Sequence, residues 1–140
     1  MEFSEALPLL RDNHTAVVST VSPSGRVQAT IISTSLLDGM VAFASRRNTI
    51  KVKNIRRTGR AAVTVIKLDT RRYVTVEGPA TVTDWDESAA DRQLALLRQV
   101  YTAMGRPPEG WDDFYGTMRE EQRSVVLVSP ERVYGSLTLR

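Results

Sequence analysis

The stretch "RAAVTVIKLDTRRYVTVEGPATVT" (residues 60–83) contains two runs that are rich in Val, Thr, Ile and Tyr. These runs, 60–68 and 72–83, predict two strands, and the "DTR" between them has the composition of a turn. Gly78 and Pro79 interrupt the second run. Such a pair inside a strand indicates a bulge or a bend, which is a device that allows a sheet to close into a barrel.

Other β-rich runs lie on both sides of this hairpin. "HTAVVSTV" and "VQATIISTS" flank a "SPSGR" segment with turn chemistry, so they predict a second hairpin over residues 14–35. An Asp-Gly turn precedes a short apolar strand that ends near Ser45, and a turn with proline separates the final strands, 123–130 and 132–139. The total is about seven short strands, joined mostly by turns of hairpin length.

Helices are predicted at the N-terminus and before the final strands. Residues 4–12 predict a short helix with Ser4 as its cap, which Pro8 limits to a turn or two. Apolar residues recur at spacings of 3 and 4 within 84–105, which indicates an amphipathic helix, and 111–122 predicts a shorter one. Their aromatic and methionine side chains are predicted as core or dimer contacts, with a minority lining a substrate pocket: Tyr101, Met104, Trp111, Phe114, Tyr115 and Met118.

Hairpin-linked strands with helices inserted at two places predict an α+β fold that is mainly β, an antiparallel barrel with peripheral helices. The 140 residues are enough for one domain, 1–140, whose core needs no metal or disulfide. Regular alternation of strands and helices is missing, as are the G-x-G-x-x-G and Walker patterns. A Rossmann fold is therefore not expected.

Composition narrows the chemistry further. The chain has no cysteine and a single histidine, His14, which excludes thiolate sites and most histidine-based metal or triad schemes. No apolar run approaches the roughly 20 residues of a membrane span, and the N-terminus lacks the order of a signal peptide. We expect no metal, no membrane span and a place in the reducing cytoplasm. No pairing of a nucleophile with a base is visible, so no catalytic residue is predicted.

The segment just before residue 60 carries the most unusual charge. Seven of the nineteen lysines and arginines lie in residues 44–63, which contain no acid. The segment predicts one short helix, capped by Ser45 or Asn48, with Val52 and Ile55 toward the barrel. Because backbone N–H groups at a helix start favour anions, a phosphate-bearing ligand suits this position.

Two other uses of the basic segment are weighed against this one. A solvated helix face would serve solubility alone, since runs of charge usually lie at the surface. Nucleic acid would be the other anionic partner, but the segment is one short connector without a helix-turn-helix pattern or an aromatic stacking platform. We therefore expect no nucleic acid as a partner.

Four motifs together resemble those of a known family. They are "RRNTIKVKNIRRTGRAAV", "YVTVEGPATV", the insertion "WDDFYGTM" and the terminal "RVYG". Through these motifs the chain resembles the split β-barrel flavin and deazaflavin proteins, a superfamily that includes pyridoxamine 5'-phosphate oxidase. Within it the chain is most similar to the actinobacterial oxidoreductases that use coenzyme F420. The resemblance implies a homodimer, with each cofactor in a groove at the interface between protomers.

The resemblance also implies which residues hold the cofactor. The segment from strand end to helix embraces the phosphate, the second strand runs beside the ring, and the strand "YVTVEG" comes near the site from one of the protomers. Arg56, Arg57 and Arg60 are expected to face water. The implied cofactor-binding residues are Gln28, Thr30, Ile31, Ile32, Ser45, Arg46, Arg47, Thr49, Lys51, Asn54 and Tyr73.

The chain also differs from the proteins that it resembles. It has Thr49 where close relatives carry an arginine, no basic residue late in "ATIISTS", and no histidine near its C-terminus, so pyridoxamine phosphate is not the expected substrate. We expect a reductase that passes a hydride from reduced F420 to an unsaturated or quinone-like small-molecule acceptor. The alternatives are an FMN-dependent oxidoreductase resembling pyridoxamine 5'-phosphate oxidase and a non-catalytic carrier of F420 or flavin.

Overall fold

The computed structural model of the protein describes residues 1–138. Within them the helices are α1 (Phe3–Asp12), α2 (Ile50–Thr58), α3 (Ala90–Ala103) and α4 (Trp111–Glu121), with a 3-10 helix (Glu87–Ala89) before α3. The strands are β1 (Thr15–Val21), β2 (Val27–Ser33), β3 (Ser35–Leu37), β4 (Met40–Ser45), β5 (Arg60–Lys67), β6 (Arg72–Thr83), β7 (Ser124–Val128) and β8 (Arg132–Ser136).

The strands form one antiparallel sheet in the order β2-β1-β5-β6-β7-β4-β3, and β8 pairs with β6. The sheet curls into a half-barrel, with the four α-helices around it. The predicted class, an α+β and mainly β split barrel with peripheral helices, is confirmed.

β6 joins the two halves of the sheet because it changes partners along its length. Its residues up to Pro79 pair with β5, and the rest pair with β7. At this change the turn after β7 packs on the strand, where Ser129 N–H donates to the Pro79 carbonyl (2.8 Å) and Glu131 N–H donates to the Glu77 carbonyl (2.9 Å). A Cβ at Gly78 would lie 1.9 Å from the Ser129 carbonyl oxygen, so only glycine permits this approach.

β4 takes part in both hydrophobic cores, because successive residues of a strand face opposite sides. Val41 and Phe43 are buried in the core inside the curled sheet, which α1 and α2 cover. Ala42, between them, is buried with Leu97 and Val125 in a second core under α3 and α4. The end of β4 is therefore held from both sides.

α2 packs on the first core as the sequence predicts, with Val52 and Ile55 fully buried. Its N-cap is Thr49, however, and the prediction of Ser45 or Asn48 is wrong. An N-cap residue adopts extended backbone angles, whereas Asn48 has a φ of +63°. The helix therefore begins at Ile50, two residues after this left-handed position, with Thr49 as its cap.

α1 is longer than predicted. It has ten residues, and Glu2 forms a capping box with Glu5, so the predicted cap at Ser4 is wrong. Pro8 lies inside the helix rather than limiting it. Burial of one helix face against the core offsets the backbone hydrogen bond that proline removes. The buried residues are Ala6, Leu9 and Leu10.

The strand count differs from the sequence prediction because a further short strand, β3, begins at Ser35 and pairs with β4. Between β2 and β3, Thr34 is buried, and its N–H donates to the His14 carbonyl oxygen (2.8 Å). The structure thus describes eight strands instead of about seven. The final predicted strand ends at Ser136, and its last predicted residue, 139, lies outside the described residues.

We predict that Gly78→Ala lowers the free energy of unfolding by about 2–4 kcal/mol, because the turn after β7 must move to admit the new Cβ. Gly116→Ala is the matched control, since a Cβ at that position in α4 meets nothing within 4 Å. The control should stabilise the protein by up to about 1 kcal/mol, because glycine disfavours a helix interior. Urea unfolding measures both values, and similar free energies would contradict the close approach at Gly78.

Candidate functional site

A cleft of about 570 Å³ opens where the end of β2, the junction of β4 with α2, and the connection after α3 come together. These segments are far apart in the chain, and the curl of the sheet brings them to one place. The lining residues are Ile31, Ile32, Ser33, Ala44, Ser45, Arg46, Thr49, Lys51, Tyr101, Met104, Arg106 and Arg123.

A wider groove of about 740 Å³ lies along α3, but its chemistry is poorer. Its one arginine, Arg98, already stacks on the Trp111 ring at 4.1 Å and donates to the Tyr115 hydroxyl (3.1 Å). The groove therefore offers a ligand no free cation, and the smaller cleft is the better candidate.

The junction of β4 with α2 presents polar donors to the cleft. Ser45 is 2% exposed, and its hydroxyl donates to the Arg46 carbonyl (3.0 Å) and lies 2.9 Å from the Thr49 hydroxyl. No side chain caps the start of α2, and Lys53 is the residue whose N–H returns to the Thr49 carbonyl (3.0 Å). The earlier N–H groups of the helix lack intrahelical acceptors and are suited to an anion.

Four cationic side chains line the cleft: Arg46, Lys51, Arg106 and Arg123. Glu121 pairs with two of them, at 3.2 Å from Arg46 and 2.6 Å from Arg123. Within residues 1–138, Lys51 and Arg106 form no ion pair. Burial, and then the charge of Arg123, lower the pKa of Lys51. The cleft thus holds positive charge that its own acids leave unbalanced.

Apolar side chains line the rest of the cleft. Ile31 on β2 is 77% exposed, whereas Ile32 beside it is nearly buried. Met104 and Tyr101 come from the other side, and the Tyr101 ring meets the Phe114 ring edge-on at 5.0 Å. Burial raises the pKa of Tyr101, so this phenol stays neutral at physiological pH. An apolar surface beside a cationic corner suits a flat ring that carries an anionic chain.

Most of the cationic side chains in residues 44–63 already donate hydrogen bonds within the protein. Five of its seven lysines and arginines donate to acceptors elsewhere: Arg46 to Glu121, Arg47 to Gln122, Arg56 to Asp84, Arg57 to the Val21 carbonyl and Arg60 to Glu131. Arg56, Arg57 and Arg60 are exposed to water as expected, and each also donates a hydrogen bond to another segment of the protein. Lys51 and Lys53 remain, and of these Lys51 lines the cleft.

The structure brings together six of the eleven residues implied for cofactor binding: Ile31, Ile32, Ser45, Arg46, Thr49 and Lys51. Arg47 instead donates to the Gln122 side chain (3.0 Å). Asn54 is 2% exposed and donates to the Thr20 hydroxyl (3.1 Å), which ties α2 to β1. The other three lie on strands outside the cleft lining, namely Gln28 and Thr30 on β2 and Tyr73 on β6. Which of the eleven contact a ligand stays a prediction.

Sequence reasoning missed Arg106 and Arg123 as cleft residues. Arg123 reaches the cleft because Ser124, the next residue, pairs with Ser45 across β7 and β4. Arg106 comes from the connection between α3 and α4. Both placements depend on contacts between segments that are distant in the sequence. Arg123 could have been found only if the pairing of β7 with β4 had been predicted.

The curled antiparallel sheet with its peripheral helices has the architecture of the split-barrel flavin-binding superfamily. Residues 4–136 match the pyridoxamine 5'-phosphate oxidase family, and the chain belongs to that family.

Solved structures agree with this fold at low sequence identity. A conserved hypothetical protein from Mycobacterium tuberculosis is 20% identical, with a TM-score of 0.73, covering 96% of this chain and 84% of that one. A protein described as an F420 reductase is 20% identical, with a TM-score of 0.65 and coverages of 91% and 94%. An FMN-binding protein related to pyridoxamine 5'-phosphate oxidase, from Nostoc punctiforme, is 17% identical, with a TM-score of 0.66 and coverages of 94% and 80%.

Two further observations concern residues 1–138. None of the helices there is both long and apolar enough to cross a membrane. The same part of the chain brings together no group of three or more histidine, aspartate or glutamate side chains that could hold a metal ion.

We predict that Lys51→Met stabilises the ligand-free protein. With its pKa lowered in the folded state, Lys51 costs stability wherever it is charged, and this cost disappears as the pH rises toward its ordinary pKa of 10.5. The free energy of unfolding should therefore increase by up to about 1 kcal/mol at neutral pH, after screening by solvent, and less in alkali. Urea unfolding at neutral and at alkaline pH measures this change in the free energy of unfolding.

Lys53→Met is the control for this experiment. Lys53 is an exposed lysine two residues along the same helix, so its replacement should leave stability nearly unchanged. A loss of stability in Lys51→Met at neutral pH would contradict the unbalanced charge in the cleft.

Proposed function

We propose that the protein is a reductase that uses the reduced deazaflavin coenzyme F420 and passes a hydride to an unsaturated or quinone-like organic acceptor. One observation carries the proposal: Lys51 and Arg106 line the cleft without an ion-pair partner among the described residues, beside the exposed apolar side chain of Ile31. F420 combines a flat ring with a phosphate and an acidic glutamyl chain, which is a longer anion than that of FMN.

The chain's own groups are suited to binding and orientation rather than to covalent chemistry. The bound coenzyme supplies the hydride chemistry. The hydroxyls of Ser45 and Thr49 and the free N–H groups at the start of α2 would hold a phosphate, with Lys51 supplying charge. Ile31 and Met104 would flank the ring and keep water from it.

An FMN-dependent oxidoreductase is the second candidate. It is supported by the likeness to the FMN-binding protein from Nostoc punctiforme, and the same phosphate-binding corner would serve either cofactor. A carrier that binds F420 or flavin without turnover is the third candidate. Assays of the reduced cofactor with a panel of acceptors distinguish a carrier from an enzyme.

We also propose a homodimer, which is supported by the outer face of the sheet. Strand register places Ile31 opposite Val17, Val17 opposite Thr64, Thr64 opposite Thr75, and Thr75 opposite Tyr134, so this row shares one face. Five large side chains on this face are exposed: Val21 (43%), Val27 (72%), Ile31 (77%), Tyr73 (36%) and Tyr134 (39%). Such an exposed apolar patch is typical of an interaction surface.

A second copy on this face would also complete the cleft. Ile31 belongs both to the face and to the cleft lining, so a partner that covers the face would close the cleft on that side. Tyr73 lies on the same face, which supports its assignment to the cleft of the neighbouring protomer rather than to its own. The acceptor would then enter between the two protomers.

The cofactor prediction is tested by titrating purified protein with F420 and, separately, with FMN. We expect a change in F420 fluorescence at micromolar concentration. Lys51→Met should weaken this binding at least about tenfold, because it removes a charge-assisted hydrogen bond. Lys53→Met should bind as the unmodified protein does. Copurification of FMN, with no response to F420, would transfer the assignment to the second candidate.

The dimer prediction is tested with Ile31→Glu. Placing a charge in the apolar face should produce a monomer and weaken cofactor binding together, because both depend on the surface around Ile31. Leu68→Glu is the matched control, since Leu68 is 71% exposed in the turn between β5 and β6. Sedimentation and fluorescence titration read the two effects, and a dimeric Ile31→Glu variant would contradict the proposed interface.

A further inference from the structure

Glu121 occupies an unusual position beside the cleft. It is the last residue of α4, and its two carboxylate oxygens accept from different arginines. One oxygen accepts from Arg46 Nη2 (3.2 Å) and the other from Arg123 Nε (2.6 Å). Both arginines line the cleft, because Arg46 follows β4 and Arg123 precedes β7 at the same end of this antiparallel pair. A single carboxylate thus joins two of the four cations.

The two ion pairs differ in exposure. The Arg46 side chain is 69% exposed, whereas those of Arg123 and Glu121 are 22% and 20% exposed. An ion pair with one partner in water contributes little and is broken at little cost. The more enclosed pair of Arg123 with Glu121 is held more firmly, because water screens it less. Arg46 is therefore the arginine that can leave Glu121.

Arg46 is also well placed to serve a ligand. It directly follows Ser45, whose hydroxyl contacts that of Thr49 at the start of α2. If its guanidinium group donates to an anionic group of the ligand there, Arg46 exchanges its ion pair with Glu121 for one with the ligand. Glu121 would then remain near the ligand with its own negative charge, paired with Arg123.

We infer that Glu121 is the internal counter-ion of the cleft: it competes with the ligand's anionic group for Arg46 and so weakens binding and speeds release. The inference rests on the proposed function in one respect, that an anionic cofactor binds in this cleft. A cofactor that must leave after each hydride transfer needs a site that releases it. Glu121 provides such release without removing any of the groups that recognise the ligand.

Glu121→Gln tests this inference, because glutamine keeps the shape and the acceptor oxygen but removes the charge. We expect inorganic phosphate, FMN and F420 each to bind roughly three- to tenfold more tightly at low salt, with slower dissociation. This gain in affinity should vanish near about 1 M salt, where charges more than about 3 Å apart are screened. A purely structural role of Glu121 would not produce this salt dependence.

Glu120→Gln is the matched control, since Glu120 is the adjacent exposed residue of α4 and its replacement changes the net charge equally. It should leave all three affinities unchanged. Equal or weaker binding by Glu121→Gln, relative to this control, would overturn the inference and make Glu121 a residue that positions Arg123.

Thermal unfolding without a cofactor gives an independent readout. At low salt Glu121→Gln should melt below Glu120→Gln, because the four cations then lack their counter-ion. Added inorganic phosphate should remove this difference in melting temperature. Equal melting temperatures would count against the inference. If phosphate has these effects but neither F420 nor FMN binds, the proposed function fails while the role of Glu121 stands.

Discussion

The antiparallel pairing of β4 with β7 is the interaction on which the cleft depends. It places Ser45 opposite Ser124, and so brings Arg123 to the start of α2. β4 can be held there because its alternate side chains are buried in two different cores. The N–H groups at the start of α2, the cations and the apolar wall then meet in one cleft. A shift of one residue in this register would turn Ser45 away from the cleft.

All five arginines of residues 44–63 donate hydrogen bonds to other segments of the protein. Arg56, Arg57 and Arg60 join α2 and β5 to neighbouring segments, so they contribute to the architecture around the cleft rather than to its field. What remains for a ligand is a small, local excess centred on Lys51 and Arg106. A localised excess favours a compact group such as a phosphate, whereas a nucleic acid backbone needs a row of cations along its length.

Sequence alone predicted the features that depend on neighbours in the chain. The strands, the core face of α2 and the polar segment from Ser45 to Lys51 all follow from local patterns. Features that depend on distant contacts were missed: Arg123 reaches the cleft through strand pairing, and the arginines of α2 found acceptors from other elements. Pro8 shows the same limit, since burial of α1 outweighed a local preference.

Ile31 belongs at once to the outer face of the sheet and to the cleft. A molecule that covers it from either side removes the same apolar surface from water. The free energies of two such events cannot be independent, and whatever coupling exists acts equally in both directions. Cofactor occupancy would then depend on protein concentration, and dilution would act on this site as an inhibitor does. The position of this one isoleucine would thus link the proposed dimer to the proposed cofactor site.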